Sequence, residues 1–206
     1  MGAHLHPFRP INPGVGGEKG MDARDVSLTA VFASLYAIIV VVQSSFFRPS
    51  AYSPIQLRVA DCLIPLSILF GWPVVAGVTI GGFMANMYYI GDVYPWLGIY
   101  DVVLGPVANL IAASLIFALR KQRLLACITG AFPIGLIVGG YLWLLPEFFL
   151  RPDIFGLSLP IWAAVIISIT MSSLIAIAVI GYILVRILGR PAVIQPLKSR
   201  GLKVVE

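Results

Sequence analysis

Residues 62–91 read CLIPLSILFGWPVVAGVTIGGFMANMYYIG and contain no Asp, Glu, Lys or Arg. As a single helix this run would extend about 45 Å, against a hydrocarbon core of ~30 Å. Gly71-Trp72-Pro73 interrupts it. Proline removes a ladder N–H inside a helix but sits well in the first turn of a new one. The run therefore predicts two helices: a short one of about 12 residues, roughly 18 Å long, and a full one beginning near Trp72.

Composition agrees that these are helices in lipid. Of the 206 residues, 59% are apolar and 11% charged, where a soluble domain carries about 25% charged residues. One core of this size cannot hide so much apolar surface. Four further uncharged runs, Val26 to Phe47, Val102 to Leu119, Leu124 to Pro146 and Ile154 to Val185, each reach spanning length. Split at Gly71, the chain has six spans.

Charge placement tests the split, because five and six spans send the later loops to opposite sides. Six spans gather Arg9, Lys19, Arg24, Arg120, Lys121, Arg123, Arg186, Arg190, Lys198, Arg200 and Lys203 on one face, 11 of the 14 basic residues. The other face keeps Arg48, Arg58 and Arg151 with the acids Asp61, Asp92, Asp101, Glu147 and Asp153. The expected fold is an all-α polytopic membrane protein with both termini cytoplasmic. Residues 1–25 form a flexible cytoplasmic tail, 26–188 the six-helix domain and 189–206 a basic cytoplasmic tail.

The tails carry no chemistry. GVGGEKG lacks the GxxxxGK[ST] spacing of a phosphate loop. His4 and His6 lack the further ligands a metal site needs, and no metal, cofactor or nucleic acid is expected. Cys62 and Cys127 are too far apart in sequence for a CxxC pair. The spans hold no HExxH, no GxSxG and no Lys or Glu near a span centre, which argues against membrane hydrolases and ion-coupled carriers. A small carrier of this kind needs an energy source from a partner.

Polar groups within membrane reach collect on the less basic side. A second helix too short to span sinks the segment before it below that surface, where non-helical backbone is tolerated only if buried or lining a cavity. Gln56, Arg58 and Asp61 then line the cavity, and an Arg58–Asp61 ion pair at (i, i+3) is the alternative. Asn86 and Asn109 are amides at depth that need a partner, whether ligand or neighbouring helix. Asp92 and Asp101 bracket the loop between the third and fourth helices. Trp96, Tyr100, Trp143 and Trp162 lie near the interface, either as an aromatic belt or as a stacking surface beside acceptors, which suits a flat, donor-rich heterocycle.

Ile55-Gln-Leu-Arg58-Val-Ala-Asp61, Gly77-Val-Thr-Ile-Gly81-Gly-Phe-Met-Ala85-Asn86 and Tyr100-Asp101-Val-Val-Leu-Gly105-Pro-Val-Ala-Asn109-Leu-Ile-Ala112, in that order, resemble the queuosine-precursor (QueT-like) S components of energy-coupling factor (ECF) transporters. The resemblance covers roughly residues 26 to 188. Asp61 stands where the family usually has Glu, and Pro106 and Asn109 also depart from its pattern. The resemblance implies a six-helix membrane subunit that captures a vitamin-like solute at the outer face, without an ATPase of its own. A transmembrane coupling subunit and two cytoplasmic ATPases would drive it. It also implies docking on the coupling subunit through an AxxxA element in the first helix, matched by Ala33 and Ala37 with Ala30 a turn earlier; packing inside the bundle is the alternative. Gly77, Gly81 and Ala85 are expected to pack internally.

A 7-deazaguanine asks for a carboxylate that accepts its ring N–H and exocyclic amine together, an amide at its carbonyl edge and aromatic walls. Asp61 and Asp101 are the candidates for the acids, Asn86 and Gln56 for the edge and Trp96 for stacking, with Arg58 and Asn109 completing the substrate-binding set. The competing readings are an S component for another vitamin, such as a flavin or thiamine, and a small membrane enzyme or channel using the same acids.

Overall fold

A computed structural model describes residues 22–46, 58–89, 95–144, 153–154, 157–199, 201–202 and 204–205. Gln56, Asp92 and most of the N-terminal tail lie outside them. Helix α1 covers Ala23–Phe46. Helix α2, Val59–Phe70, begins as the 3₁₀ helix Val59–Leu66 and ends in the α-helical turn Ser67–Phe70. Then come α3 (Trp72–Tyr89), α4 (Pro95–Ala118) and α5 (Arg123–Leu142). A two-residue antiparallel pair follows, β1 (Asp153–Ile154) with β2 (Leu157–Ser158). Helix α6 runs Ile161–Leu188 and changes to π geometry over Leu174–Gly181. Helix α7, Pro191–Ser199, lies in what the sequence marks as the C-terminal tail.

The regular structure among the described residues is thus helical apart from that short pair. Among the described residues, four helices are long and apolar enough to cross a membrane: Ala23–Ser45, Gly98–Ala118, Arg123–Leu142 and Ile161–Leu188. Several serine and threonine hydroxyls of the apolar helices are satisfied within their own helix. Ser34, Ser45, Thr79 and Thr170 each donate to the carbonyl four residues back at 2.7–2.8 Å, which removes an unpaired donor from an apolar surface.

The break at Gly71 falls where the sequence predicts it. Gly71 has φ 68°, a left-handed conformation that an L side chain resists. Its N–H closes α2 on the Ser67 carbonyl at 2.9 Å, and its own carbonyl accepts from Val74 at 3.1 Å to open α3. The end of a helix leaves carbonyls without partners. That of Leu69 is taken by the Val205 N–H at 2.8 Å, while Arg24 donates to the Gly201 carbonyl at 2.8 Å. The segment after α7 is therefore bound back across the ends of α1 and α2. A largely apolar groove of about 430 Å³ lies beside it, lined by Arg24, Leu28, Val31, Leu197 and Leu202.

Helix ends alternate between two rims. At one, Trp72 packs edge-on against Phe117 with ring centres 5.8 Å apart, and Arg123 lies beside Gly189. The start of α1 and the bound-back segment meet there too. At the other rim, Gln43 Oε1 accepts from the Val59 N–H at 2.9 Å and Asn86 reaches the Asp101 carbonyl.

Helices α1 and α3 approach each other closely. A Cβ on Gly81 would stand 2.5 Å from the Ala33 carbonyl oxygen, and one on Gly77 2.6 Å from Phe32 Cβ. Small residues on both sides bring the backbones together, and the internal role expected of Gly77, Gly81 and Ala85 is what the packing shows. Gly81→Val should lower stability by about 1–3 kcal/mol through overpacking, read as a drop in thermal unfolding temperature in detergent. Gly140→Ala, where an added Cβ meets nothing within 4 Å, should hold or raise that temperature.

Candidate functional site

Asp61 is fully buried on the 3₁₀ part of α2. A carboxylate there is costly unless its oxygens are paired. Tyr36 Oη donates to Asp61 Oδ1 at 2.7 Å, and the same hydroxyl accepts from Asn109 Nδ2 at 2.9 Å. Asn109 Nδ2 also donates to the Val78 carbonyl at 3.3 Å. One chain of bonds so joins α1, α2, α3 and α4. Among the described residues, Asp61 Oδ2 has no hydrogen-bond partner; the Asp61 N–H donates to the Arg58 carbonyl at 3.1 Å, and the two side chains also attract each other as opposite charges.

A second cluster surrounds Asp101 on α4. Tyr141 Oη donates to Asp101 Oδ1 at 2.6 Å, and Asn86 Nδ2 donates to the Asp101 carbonyl at 2.6 Å. Glycines make the room. A Cβ on Gly105 would stand 2.5 Å from Asn86 Nδ2, and one on Gly82 2.8 Å from Asn109 Nδ2. Half-buried Arg58 lies within electrostatic reach of Tyr36, Asp61, Asp101 and Tyr141, so it is the cation between two acids.

The structure brings together Arg58, Asp61, Asn86, Asp101 and Asn109 from the expected set. Gln56 and the side chain of Trp96 lie outside the described residues. Tyr100 and Trp162 are exposed, facing lipid in the manner of a belt, and Trp143 Nε1 is tied to the Gly140 carbonyl at 2.9 Å. Both amides turn out to bridge helices. Asn109 commits its NH₂ group to Tyr36 and Val78, and Asn86 commits its own to α4.

Tyr36 and Tyr141 are the functional residues that sequence reading passed over. The available signal was a tyrosine in the middle of an otherwise apolar helix, whose hydroxyl needs a partner when buried. On α1, Ala33 is buried against α3 whereas Ala30 is exposed and Ala37 half-buried. Among the described residues no three His, Cys, Asp or Glu side chains are grouped to hold a metal ion.

Apolar helices of membrane-crossing length around buried carboxylates, amides and tyrosines define a class: helical membrane proteins with polar groups in their interior, where such groups are costly and mark solute pathways. Within that class the chain belongs to the QueT transporter family, which matches it over residues 26–190, in agreement with the resemblance carried by the motifs around Arg58, Asn86 and Asp101. The protein is a membrane transporter rather than an enzyme. No match was found among curated proteins or among solved structures.

Asn109→Leu keeps the side-chain volume but strips the donor from Tyr36 and leaves a buried acceptor unfilled. It should cost about 1–3 kcal/mol, measured by thermal or denaturant unfolding of the ligand-free protein in detergent.

Proposed function

We propose that the chain is the substrate-capturing S component of an ATP-driven ECF-type importer, and that it takes up a queuosine precursor or related 7-deazapurine at the outer face. The observation that carries this reading is the pair of carboxylates, each fixed on one oxygen by a tyrosine, with the buried Asp61 Oδ2 free of a hydrogen-bond partner among the described residues. A carboxylate held in this way can accept a ring N–H and an exocyclic amine, and such charge-assisted contacts exceed neutral ones in strength.

In this reading Asp61 and Asp101 meet the donors of the solute and Arg58 balances their charge. Gln56 and Asn86 address the carbonyl edge, Trp96 stacks on the ring, and Asn109 orders the site from behind. The alternation of helix ends between two rims supports six passes. The basic residues Arg24, Arg120, Lys121, Arg123, Arg190 and Lys198 mark the rim with both termini as cytoplasmic.

Energy comes from outside the chain. The coupling subunit docks on α1, which of the four helices of spanning length has the smallest share of buried residues. Ala30 and Ala37 are available there, while Ala33 supports the approach of α3 from within. Two cytoplasmic ATPases complete the importer.

Purified protein should gain thermal stability with 7-deazaguanine compounds, by about 2.7 kcal/mol at a hundred times the dissociation constant. Asp61→Ala and Asp101→Ala should each abolish the gain. Unchanged affinity in both variants sinks the site, and stabilisation by a flavin or thiamine instead redirects the substrate. Uptake by cells should require the co-expressed coupling subunit and ATPases; uptake without them rejects the S-component role.

A further inference from the structure

A hydroxyl has one proton to give. With Asn109 Nδ2 donating to the Tyr36 oxygen at 2.9 Å, that proton is directed to Asp61 Oδ1 at 2.7 Å. Asn109 is itself pinned, since Nδ2 also reaches the Val78 carbonyl at 3.3 Å, in the room that the missing Cβ of Gly82 leaves for it. Tyr36 and Asn109 are both at most 2% exposed, so bulk water does not compete for these bonds. The relay fixes the plane and rotation of the Asp61 carboxyl. Its second oxygen, Oδ2, is buried and has no partner among the described residues, and a charged oxygen left that way is among the most expensive features a protein interior holds.

We infer that Tyr36 is a specificity-determining positioning residue: by holding Oδ1 it presents Oδ2 as the acceptor for the exocyclic amine of the bound ring, and thereby sets the preference for rings that carry the amine. This rests on the 7-deazapurine reading above. Tyr36 touches the carboxylate and not the solute, so its influence on binding passes through Asp61. A ring without the amine leaves Oδ2 unfilled in the complex, and a site built around a hydrogen bond discriminates strongly against a ligand that lacks its partner.

The test is a cycle of two ligands and two proteins, measured as dissociation constants by calorimetry in detergent. The ligands are 7-deazaguanine and the same ring without its exocyclic amine. Wild-type protein should bind the amine-bearing ring more tightly by a factor on the order of ten to a hundred. Tyr36→Phe should weaken that ring about tenfold and leave the amine-free ring nearly unchanged, so the ratio collapses. A merely structural role would weaken both ligands by one factor and keep the ratio, which overturns the inference. Asn109→Leu loosens the same relay from its far end and should move the ratio in the same direction, so the question stays open to measurement even where Tyr36→Phe does not fold; an unchanged ratio there also counts against the relay. Wild-type protein that binds neither ring rejects the substrate reading itself. Wild-type protein that binds both, with a ratio insensitive to the two variants, rejects only the role of Tyr36.

Discussion

The bond from Tyr36 Oη to Asp61 Oδ1 is the contact on which the bundle turns. It places a buried carboxylate against the one neighbour able to donate to it from α1, and Asn109 ties the same hydroxyl to α4. That geometry exists only because α1 lies almost backbone to backbone on α3. Gly77 and Gly81 leave room for Phe32, Ala33 and Tyr36 to face inward, and a larger residue at either position would move Tyr36 away from Asp61. Packing and polar chemistry are here one constraint: small residues set the distance that the hydrogen bond requires.

The second helix explains why the polar groups gather at one rim. Eight residues of 3₁₀ helix and four of α-helix rise roughly 22 Å, too little for a full crossing. Anchored at Gly71 beside Trp72 and Phe117, the helix starts beside Gln43, three residues short of the end of α1 at Phe46, so its first residues, Arg58 to Asp61, sit just inside that rim. The anchored end is sealed. Val205 occupies the freed Leu69 carbonyl and Arg24 binds Gly201, whereas at the far end an acid oxygen is left without a hydrogen-bond partner among the described residues. One rim is closed by backbone bonds and the other carries the reactive groups.

Much of this was legible because it rests on local rules. Gly71-Trp72-Pro73 announces a helix stop and start whatever surrounds it, and the clusters at Arg120 to Arg123 and Arg186 to Arg200 declare their rim through charge alone. Asp61, Asn86, Asp101 and Asn109 stood out as polar groups in apolar surroundings. What each of them faces did not, because the rotation of a helix about its axis depends on neighbours far away in sequence: Asn109 meets Tyr36 across 73 positions and Tyr141 meets Asp101 across 40. A tyrosine in an apolar helix also reads as packing until its partner is seen. The change to π geometry at Leu174–Gly181, which seats Gly181 against Pro65 and the Cys62 carbonyl, leaves no mark in a uniformly apolar sequence.

On the proposed reading, a site ordered in this way binds well and releases poorly. Carboxylates held on one oxygen, amides wedged beside Gly82 and Gly105, and an arginine between the acids need no reorganisation to receive a solute, which lowers the cost of binding. The same rigidity means that a filled site has no internal reason to open toward the other rim, where the Val205 strap and the Arg24 contact hold the helices together. On the proposed reading, release therefore depends on work done on the bundle from outside. The helix through which such work can be delivered is α1, because its inner face holds Tyr36 and Ala33 while much of its remaining surface is exposed among the described residues.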